Sequence, residues 1–203
     1  MSFDAAFVQF PALETERLRL RQIMACDAEL LFPILSDQET MAYYGHLPHR
    51  SIDDTRALIY EIDARYLKRE GIRWGIARQG DDRLIGSCGL QRFGAGHHHA
   101  ETGYELDRGS WGLGLMAEAM AAILDYGFAE LGLHRVEAVI DDANVRSKAL
   151  LIKLGFSAEG VLRERYHFRG RFEDEYYYGL LKHEWSSASA AASSASRPLG
   201  RGS

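Results

Sequence analysis

The chain has 203 residues, a length that favours one domain with a core large enough to be stable without disulfides or a structural metal. Apolar residues make up 46% and charged residues 26%, which is ordinary for a globular protein, and the net charge of −5 excludes a global basic field that would attract nucleic acid or an anionic membrane. No run of 18 apolar residues and no signal-peptide pattern occurs. Together with two isolated cysteines, Cys26 and Cys88, this predicts a cytoplasmic protein with reduced thiols.

The first half of the chain predicts one strand, two helices and a meander. Alternating apolar and polar residues over 17–23 predict a strand. Asp27 is expected to begin a helix that reaches about Leu35, and Ser51, with Asp54 three residues on, a second that reaches about Arg69. Three strands joined by glycine-rich turns are predicted next, over 73–78, 83–91 and 100–107.

The second half begins with the turn Trp111-Gly112-Leu113-Gly114-Leu115-Met116, which runs into an amphipathic helix from Leu115 to about Leu131. A strand over 135–141 and a helix over 144–154 follow, and two closing strands are predicted over 156–168 and 172–183. The whole series predicts an α/β (α+β) fold, in which a mixed, mostly antiparallel central sheet is flanked by about four helices.

Composition divides the chain into three parts. Residues 1–12 are interpreted as an N-terminal extension and residues 13–185 as a single folded domain. From Ser186 onward the chain is first only Ser and Ala and then rich in turn formers, so it has too little apolar surface to offset the entropy of ordering. Residues 186–203 are therefore predicted to be a disordered tail.

The glycine turn predicts a phosphate site, because a helix that starts after such a turn presents unpaired N–H groups and the positive end of its dipole. A nucleoside triphosphatase loop is excluded, because Leu115 and Met116 follow Gly114 where Lys and Ser/Thr are required. A dinucleotide fingerprint, Gly112-x-Gly114-x-x-Ala117, matches. It remains a distant alternative, since the polar loop 107–111 replaces the apolar strand that should lead into the first glycine.

A series of motifs resembles the GNAT superfamily of acetyl-CoA-dependent N-acetyltransferases, and in particular its RimJ/RimL-type branch. The turn at 111–116 resembles the family's Q/R-x-x-G-x-G/A motif through Gly114, with Trp111 where Arg or Gln is usual. Further matches run in order along the chain, at 14–21, 100–106, Glu118-Ala119, Asn144-x-x-Ser147, 153–156, 159–163, 174–176 and 180–185.

The resemblance implies acetyl-CoA as cosubstrate and no metal. It implies that the turn Trp111, Gly112, Leu113, Gly114, Leu115 and Met116 binds the diphosphate, together with Asn144 and Ser147 further along the cofactor. Many members of the family carry a catalytic Tyr seven residues after this Asn, where the present chain has Leu151. In the RimJ/RimL branch the serine is held to take its place, which implies a catalytic role for Ser147; the alternative is that Asn144 and Ser147 merely cap a helix.

Acetyl transfer to an amine also needs a base, and Glu101 is the first candidate because its strand leads toward the glycine turn. Glu105 lies on the same face of a regular strand. The alternative for either residue is a strand carboxylate paired with an arginine. A second mechanism, through an acetylated Cys88, is disfavoured because free cysteines are mostly small core residues.

Two other sequence patterns each have two interpretations. His97-His98-His99 is better explained by a solvated hairpin tip than by a metal site, since three consecutive histidines cannot converge on one ion. The loop 41–49, which contains Tyr43, Tyr44, His46 and His49, borders the acceptor pocket if the resemblance holds; simple loop packing is the alternative.

The sequence thus predicts an N-acetyltransferase that acetylates a primary amine, preferentially the α-amine of a peptide or protein, by direct transfer in a ternary complex. A small amine such as a polyamine, amino acid or antibiotic is an alternative acceptor, and a non-catalytic acyl-CoA-binding module an alternative function. The expected partner is the amine substrate, with no nucleic acid and no membrane, and the protein is expected to be a monomer or a homodimer.

Overall fold

The computed structural model describes residues 3–94, 96 and 98–185, and in that part the chain forms eight strands and four α-helices, while residues 182–185 are also helical. The strands are β1 (Leu13–Glu14), β2 (Leu18–Gln22), β3 (Gly71–Arg78), β4 (Leu84–Gln91), β5 (His99–Leu106), β6 (Arg135–Ile140), β7 (Ser157–Phe168) and β8 (Arg171–Leu181). The helices are α1 (Ala28–Leu35), α2 (Ile52–Leu67), α3 (Leu115–Ala129) and α4 (Val145–Lys153). The predicted tail, 186–203, and His97 lie outside the described residues.

All eight strands belong to one sheet, in the order β1-β2-β3-β4-β5-β6-β8-β7. Neighbours pair antiparallel except β5 and β6, which are parallel and joined by the crossover helix α3. The predicted mixed, mostly antiparallel sheet with about four helices is confirmed.

Helices cover both faces of the sheet. Alternate residues of each strand point to opposite faces, so each face contributes to its own core. Ile72, Trp74 and Ile76 of β3 join the larger core, which also holds buried residues of α3 and α4. Ala77, on the other face of β3, joins a second core formed with α1 and α2. Residues of β5 therefore face either α3 and α4 or α1 and α2, and this alternation decides which of them can meet at a site.

Helix α2 begins as its sequence predicts. The Ser51 amide donates to the Asp54 carboxylate at 2.9 Å, and the Ser51 hydroxyl accepts from the Asp54 amide at 3.4 Å. Asp27, expected to begin the first helix, is the last residue of a short 3₁₀ turn and directly precedes α1. Its carboxylate accepts from the Met24 amide at 2.7 Å and from Arg21 at 2.8 and 2.9 Å. The charge of Arg21 attracts this carboxylate away from the start of α1.

The residues that precede β1 pack on the larger core. A 3₁₀ turn at Phe3–Phe7 contributes buried Ala6, whose carbonyl accepts from the Tyr66 hydroxyl at 2.9 Å. The carbonyl of Pro11 accepts from the Trp74 indole at 2.6 Å. Strand β1 was not predicted, since two residues are too few to display an alternating pattern.

Strand β7 forms the outer rim of the sheet and pairs only with β8 among the described strands. Its register shifts between Ala158 and Gly160 and again between Leu162 and Tyr166. Within the second irregularity Glu164 has a φ of 50°, and its amide donates to the Asp174 carboxylate at 2.8 Å.

Candidate active site

A gap opens in the middle of the sheet between β5 and β6. Their parallel pairing consists of His99 with Arg135, Ala100 with Val136 and Glu101 with Glu137. Beyond these pairs β5 continues beside β4 as far as Leu106, and β6 continues beside β8 as far as Ile140. The facing edges of the two strands therefore present backbone N–H and C=O groups that are not paired across the gap, and a ligand with amide groups can pair with them.

The glycine turn lies at the end of β5 that borders this gap. Gly112 and Gly114 have φ of 74° and 76°, a left-handed conformation that strains other residues. Gly112, Leu113 and Gly114 are exposed, and the Gly114 position at the start of α3 has no side-chain cap. The first amides of this 15-residue helix are thus open to an anion.

The other residues of the turn hold it in place. The Trp111 indole donates to the Leu106 carbonyl at 2.8 Å, and Leu115 is buried in the larger core. Arg17, at the start of β2, donates to the Leu113 carbonyl at 2.9 Å. Half-buried Met116 packs against the same core. Trp111, Leu115 and Met116 therefore support the turn, whereas the three residues between Trp111 and Leu115 expose its backbone.

Two arginines flank the turn. The Arg146 guanidinium stacks on the Trp111 ring, 4.3 Å from its centroid. The Glu39 carboxylate, in the loop between α1 and α2, lies 2.8 Å from Arg108 and 3.3 Å from Arg146. One carboxylate therefore bridges cations from both sides of the gap, and an anionic ligand at the turn would compete with it.

Helix α4 starts on the other side of the gap. The Asn144 side chain accepts from the Ser147 amide at 3.1 Å and so caps the helix. The Ser147 hydroxyl is not used for capping: it is buried and lies 2.6 Å from the Tyr104 hydroxyl. Of the two interpretations considered for this pair, capping describes Asn144, and the Ser147 hydroxyl remains available for chemistry.

Tyr104 belongs to the part of β5 that has separated from β6, and it was not predicted as a site residue. Burial raises the pKa of its phenol to about 12, against an opposing effect of the hydrogen bond with Ser147. Tyr104 shares its face of β5 with Ala100 and Thr102, the face covered by α3 and α4. The sequence predicted this strand and the helix over 144–154, but it did not predict that Tyr104 would contact that helix.

Glu101 and Glu105 lie on the opposite face of β5. The Glu101 carboxylate, 21% exposed, lies 2.7 Å from the Arg92 guanidinium and accepts from the side-chain amide of Gln91 at 3.3 Å. Glu105 is buried and accepts from the Tyr44 hydroxyl at 2.6 Å and from Arg73 and Ser87. The structure therefore joins Tyr104 to Ser147 but gives neither glutamate a contact with Ser147.

A cavity of about 170 Å³ lies between the α1–α2 loop and the β7–β8 hairpin, at the separated end of β6. Its lining combines aromatic rings, carboxylates and guanidinium groups: Ala42, Tyr43, Gly45, Asp141, Tyr166, Phe168, Arg169, Arg171 and Glu173. Part of the loop 41–49 thus lines a cavity. Such a mixture suits a polar ligand with an apolar stem.

Cys88 is fully buried, and desolvation raises the pKa of its thiol to about 12, against an opposing effect of nearby Arg73. A thiol in this state is a poor nucleophile. Within 3–94, 96 and 98–185, no group of three or more His, Cys, Asp or Glu is arranged to hold a metal ion, and no helix is both long and apolar enough to cross a membrane.

Comparison with known proteins identifies the family. Residues 17–157 match the acetyltransferase (GNAT) domain. YoaA of Bacillus subtilis (strain 168), named as an uncharacterized N-acetyltransferase, is 40% identical over 173 residues, which are 85% of this chain and 98% of YoaA. The crystal structure of an acetyltransferase (GNAT family) from Bacillus anthracis is similar, with a TM-score of 0.77 and 26% identity over 85% of this chain and 99% of that chain.

Two further relatives have names that state different acceptors. The "Putative ribosomal N-acetyltransferase YdaF" of Bacillus subtilis (strain 168) is 28% identical over 180 residues, 87% of this chain and 97% of YdaF. The spermidine N(1)-acetyltransferase of Escherichia coli (strain K12) is also 28% identical, over 83% of this chain and 88% of that enzyme. Sequence identity therefore does not choose between a protein and a polyamine acceptor.

Proposed function

This chain belongs to the GNAT acetyltransferase family and is an acyltransferase, and on that basis we propose that it acetylates the α-amine of a peptide or protein in the manner of the RimJ/RimL branch. The observation that carries the proposal is the gap between β5 and β6, which ends at an open glycine turn and is spanned by the hydroxyls of Tyr104 and Ser147. We place the activity in residues 13–185 of a cytoplasmic protein.

Acetyl-CoA fits the chemistry of this gap. The exposed amides at Gly112, Leu113 and Gly114 suit its diphosphate, and the unpaired strand edges suit the two amides of its pantetheine arm. The cosubstrate supplies an activated acetyl thioester whose sulfur leaves with the electron pair of the broken C–S bond. Trp111, Leu115 and Met116 then support the turn, and Asn144 fixes the start of α4.

The protein's own contribution is to make the amine neutral and to stabilise the leaving sulfur. We assign the first role to Glu101, which takes the amine proton directly or through water, and the second to Ser147. Arg92, which now pairs with the Glu101 carboxylate, is itself 74% exposed, so this partner can be displaced by a cationic amine. Direct transfer is favoured over an acetylated enzyme, because the Cys88 thiol is buried and protonated.

An α-amine suits this mechanism better than a lysine amine. With ordinary pKa values near 8 and 10.4, roughly half of an α-amine but only about 0.4% of a lysine side chain is neutral at pH 8. A single surface carboxylate is a modest base, so a substrate that is already half neutral needs less assistance.

A polyamine is the second candidate acceptor, and one observation favours it. The cavity beside the gap carries the carboxylate of Asp141 among the rings of Tyr43, Tyr166 and Phe168, whereas its second carboxylate, Glu173, pairs with Arg171. A flexible chain with several ammonium groups is attracted by both kinds of group.

The test is thiol release from acetyl-CoA by the purified protein with matched acceptors: a peptide with a free N-terminus, the same peptide N-acetylated but with an internal lysine, and spermidine. Turnover of the first peptide and not of the second supports the proposal. Faster turnover of spermidine transfers the assignment to a polyamine. Tight binding of CoA with no turnover on any amine identifies a non-catalytic acyl-CoA-binding module.

A further inference from the structure

We propose that Tyr104 is a positioning residue for the departing thiol: its phenol donates to the Ser147 oxygen and so aims the Ser147 proton at the sulfur. This inference rests on the proposed acetyl transfer, and it assigns a role to a strand residue that lies within the matched segment 100–106 but was not predicted as a site residue. The family's usual phenol position on α4 is here Leu151, which is fully buried in the larger core and carries no donor.

The first support is placement. Tyr104 lies on β5 beyond its last pairing with β6, and Ser147 lies in the first turn of α4, which follows β6. Their hydrogen bond of 2.6 Å therefore crosses the gap. A ligand that starts at the glycine turn and runs between the two strands must pass this pair of hydroxyls.

The second support is the direction of the hydrogen bond. A phenol is a stronger acid than an alkyl hydroxyl, so the favoured arrangement has Tyr104 as donor and Ser147 as acceptor. Burial raises the pKa of Tyr104 to about 12, which keeps the phenol protonated over the working pH range of most enzymes. Asn144 caps α4 by accepting from the backbone amide of Ser147, so capping does not use the Ser147 hydroxyl. The hydroxyl proton is therefore left for a third partner.

The hydrogen bond from Tyr104 to Ser147 and the one from Ser147 to the sulfur strengthen each other. A hydroxyl that accepts a hydrogen bond becomes a better donor in its own hydrogen bond, and a relatively dry site strengthens both. Neither hydroxyl needs to lose its proton. The new C–N bond forms as the C–S bond breaks, the electron pair stays on sulfur, and the proton of the amine goes to the base. A thiolate whose ordinary pKa is about 8.5 is a stable product once it is hydrogen-bonded.

The experiment compares four variants with the wild-type protein: Tyr104→Phe, Ser147→Ala, the double variant, and Tyr126→Phe as a matched control. Tyr126 is a phenol on α3 whose pKa burial also raises to about 12, and its ring packs against Trp74 at 5.8 Å, away from the gap. Two quantities are measured: kcat and KM with the best acceptor, and the pKa of the thiol of bound CoA, from the ultraviolet absorbance of its thiolate, which requires no acceptor.

We expect Tyr104→Phe to lower kcat about 10-fold and Ser147→Ala about 30-fold, with KM for acetyl-CoA within about twofold, since a hydrogen bond to a charged group has effects of this size. The double variant should equal Ser147→Ala within about twofold, because Tyr104 acts only through that hydroxyl. The thiol pKa of bound CoA should rise by roughly one unit in both single variants, the equilibrium counterpart of a tenfold effect. Tyr126→Phe should change none of these quantities.

The inference is overturned if Tyr104→Phe leaves both kcat and the bound thiol pKa at wild-type values, or if the effects of the two substitutions multiply in the double variant. It is also overturned if Tyr126→Phe has the same effect, which would indicate general loosening of the core. If the wild-type protein shifts the thiol pKa of bound CoA but turns over no amine, the proposed function is overturned. The role of Tyr104 in orienting the Ser147 hydroxyl is then retained.

Discussion

Nε of Arg17 lies 2.6 Å from the Glu118 carboxylate, so an ion pair joins the start of β2 to the first turn of α3. Glu118 also accepts from the Thr15 hydroxyl at 2.6 Å and from the Arg17 amide at 2.8 Å. The same guanidinium holds the Leu113 carbonyl. The exposed glycine turn is thus fixed by a distant segment of the chain as well as by its own helix.

Arg17→Ala should weaken CoA binding about 5–10-fold, because the turn loses its carbonyl anchor and its open amides are no longer held in one arrangement. Isothermal titration with CoA measures the effect. Arg19→Ala is the matched control, since Arg19 lies two residues further on, in β2, and pairs with exposed Asp82 at 3.4 Å. Equal affinities for the two variants would contradict the anchoring role of Arg17.

The stabilisation that the Arg17–Glu118 ion pair provides depends on pH through the Glu118 carboxyl. Burial acts to raise the pKa of its carboxyl, but the hydrogen bonds from Thr15 and Arg17 prevail and hold the pKa below the ordinary 4.5. Since the folded pKa is the lower one, the stabilisation is complete above about pH 4.5 and is lost as pH falls through the folded value. In urea titrations the stability difference between wild type and Glu118→Gln should stay constant from pH 7 to 5 and shrink only below that window. A difference that vanishes already at pH 6 would contradict the ion pair.

Glu101 and Glu105 should respond differently to the same change. Glu101→Gln is expected to lower kcat/KM about 100-fold with an unchanged melting temperature, because the carboxylate is the proposed base. Glu105→Gln is expected to cost roughly 3–5 kcal/mol of stability, since it leaves the Arg73 charge buried without its partner. Kinetics and thermal denaturation of both variants separate the roles; full activity in Glu101→Gln would sink the assignment of the base.

Cys88→Ala should retain kcat within about twofold, because a buried, protonated thiol does not attack the thioester. A thiol reagent should modify exposed Cys26 in the folded protein and reach Cys88 only after denaturation. Mass spectrometry of protein mixed with acetyl-CoA alone provides the second measurement, and acetylation at Cys88 would establish the two-step route instead.

Glu39→Gln should tighten CoA binding by about 3–10-fold at low ionic strength, because Arg108 and Arg146 lose the carboxylate that now competes with phosphate. Asp53→Asn is the control: Asp53 is 80% exposed and pairs with Arg56 on α2. The gain should decline as salt is added, and a weaker complex in Glu39→Gln would mean that the loop contact aids binding rather than opposing it.

Local patterns predicted most of the elements. The Ser51–Asp54 arrangement located the start of α2, and the glycine-rich turns located β3 to β5 within two residues at each end. These signals are contained in a few adjacent side chains. The packing of Phe3–Phe7 was not predicted, because its partners Tyr66 and Phe93 are far away in sequence.

The sequence predicted the part of the candidate site that depends on local backbone conformation, namely the glycine turn. Gly112 and Gly114 are required by the turn itself, so the sequence identifies them. The bridge by Glu39 and the meeting of Tyr104 with Ser147 depend on how the elements pack, and no spacing along the chain encodes that. Glu101, predicted as the base, remains a prediction.

The rim strand β7 leaves its outer backbone edge open, yet its two register shifts and the left-handed Glu164 interrupt the row of donors and acceptors there. An extended segment from another molecule could align with only a short stretch of this edge before its hydrogen bonds fall out of step. Alternating Arg163, Glu164 and Arg165 add charge to the same stretch. The irregularity thus protects a sheet with an exposed border from open-ended growth into aggregates at high concentration.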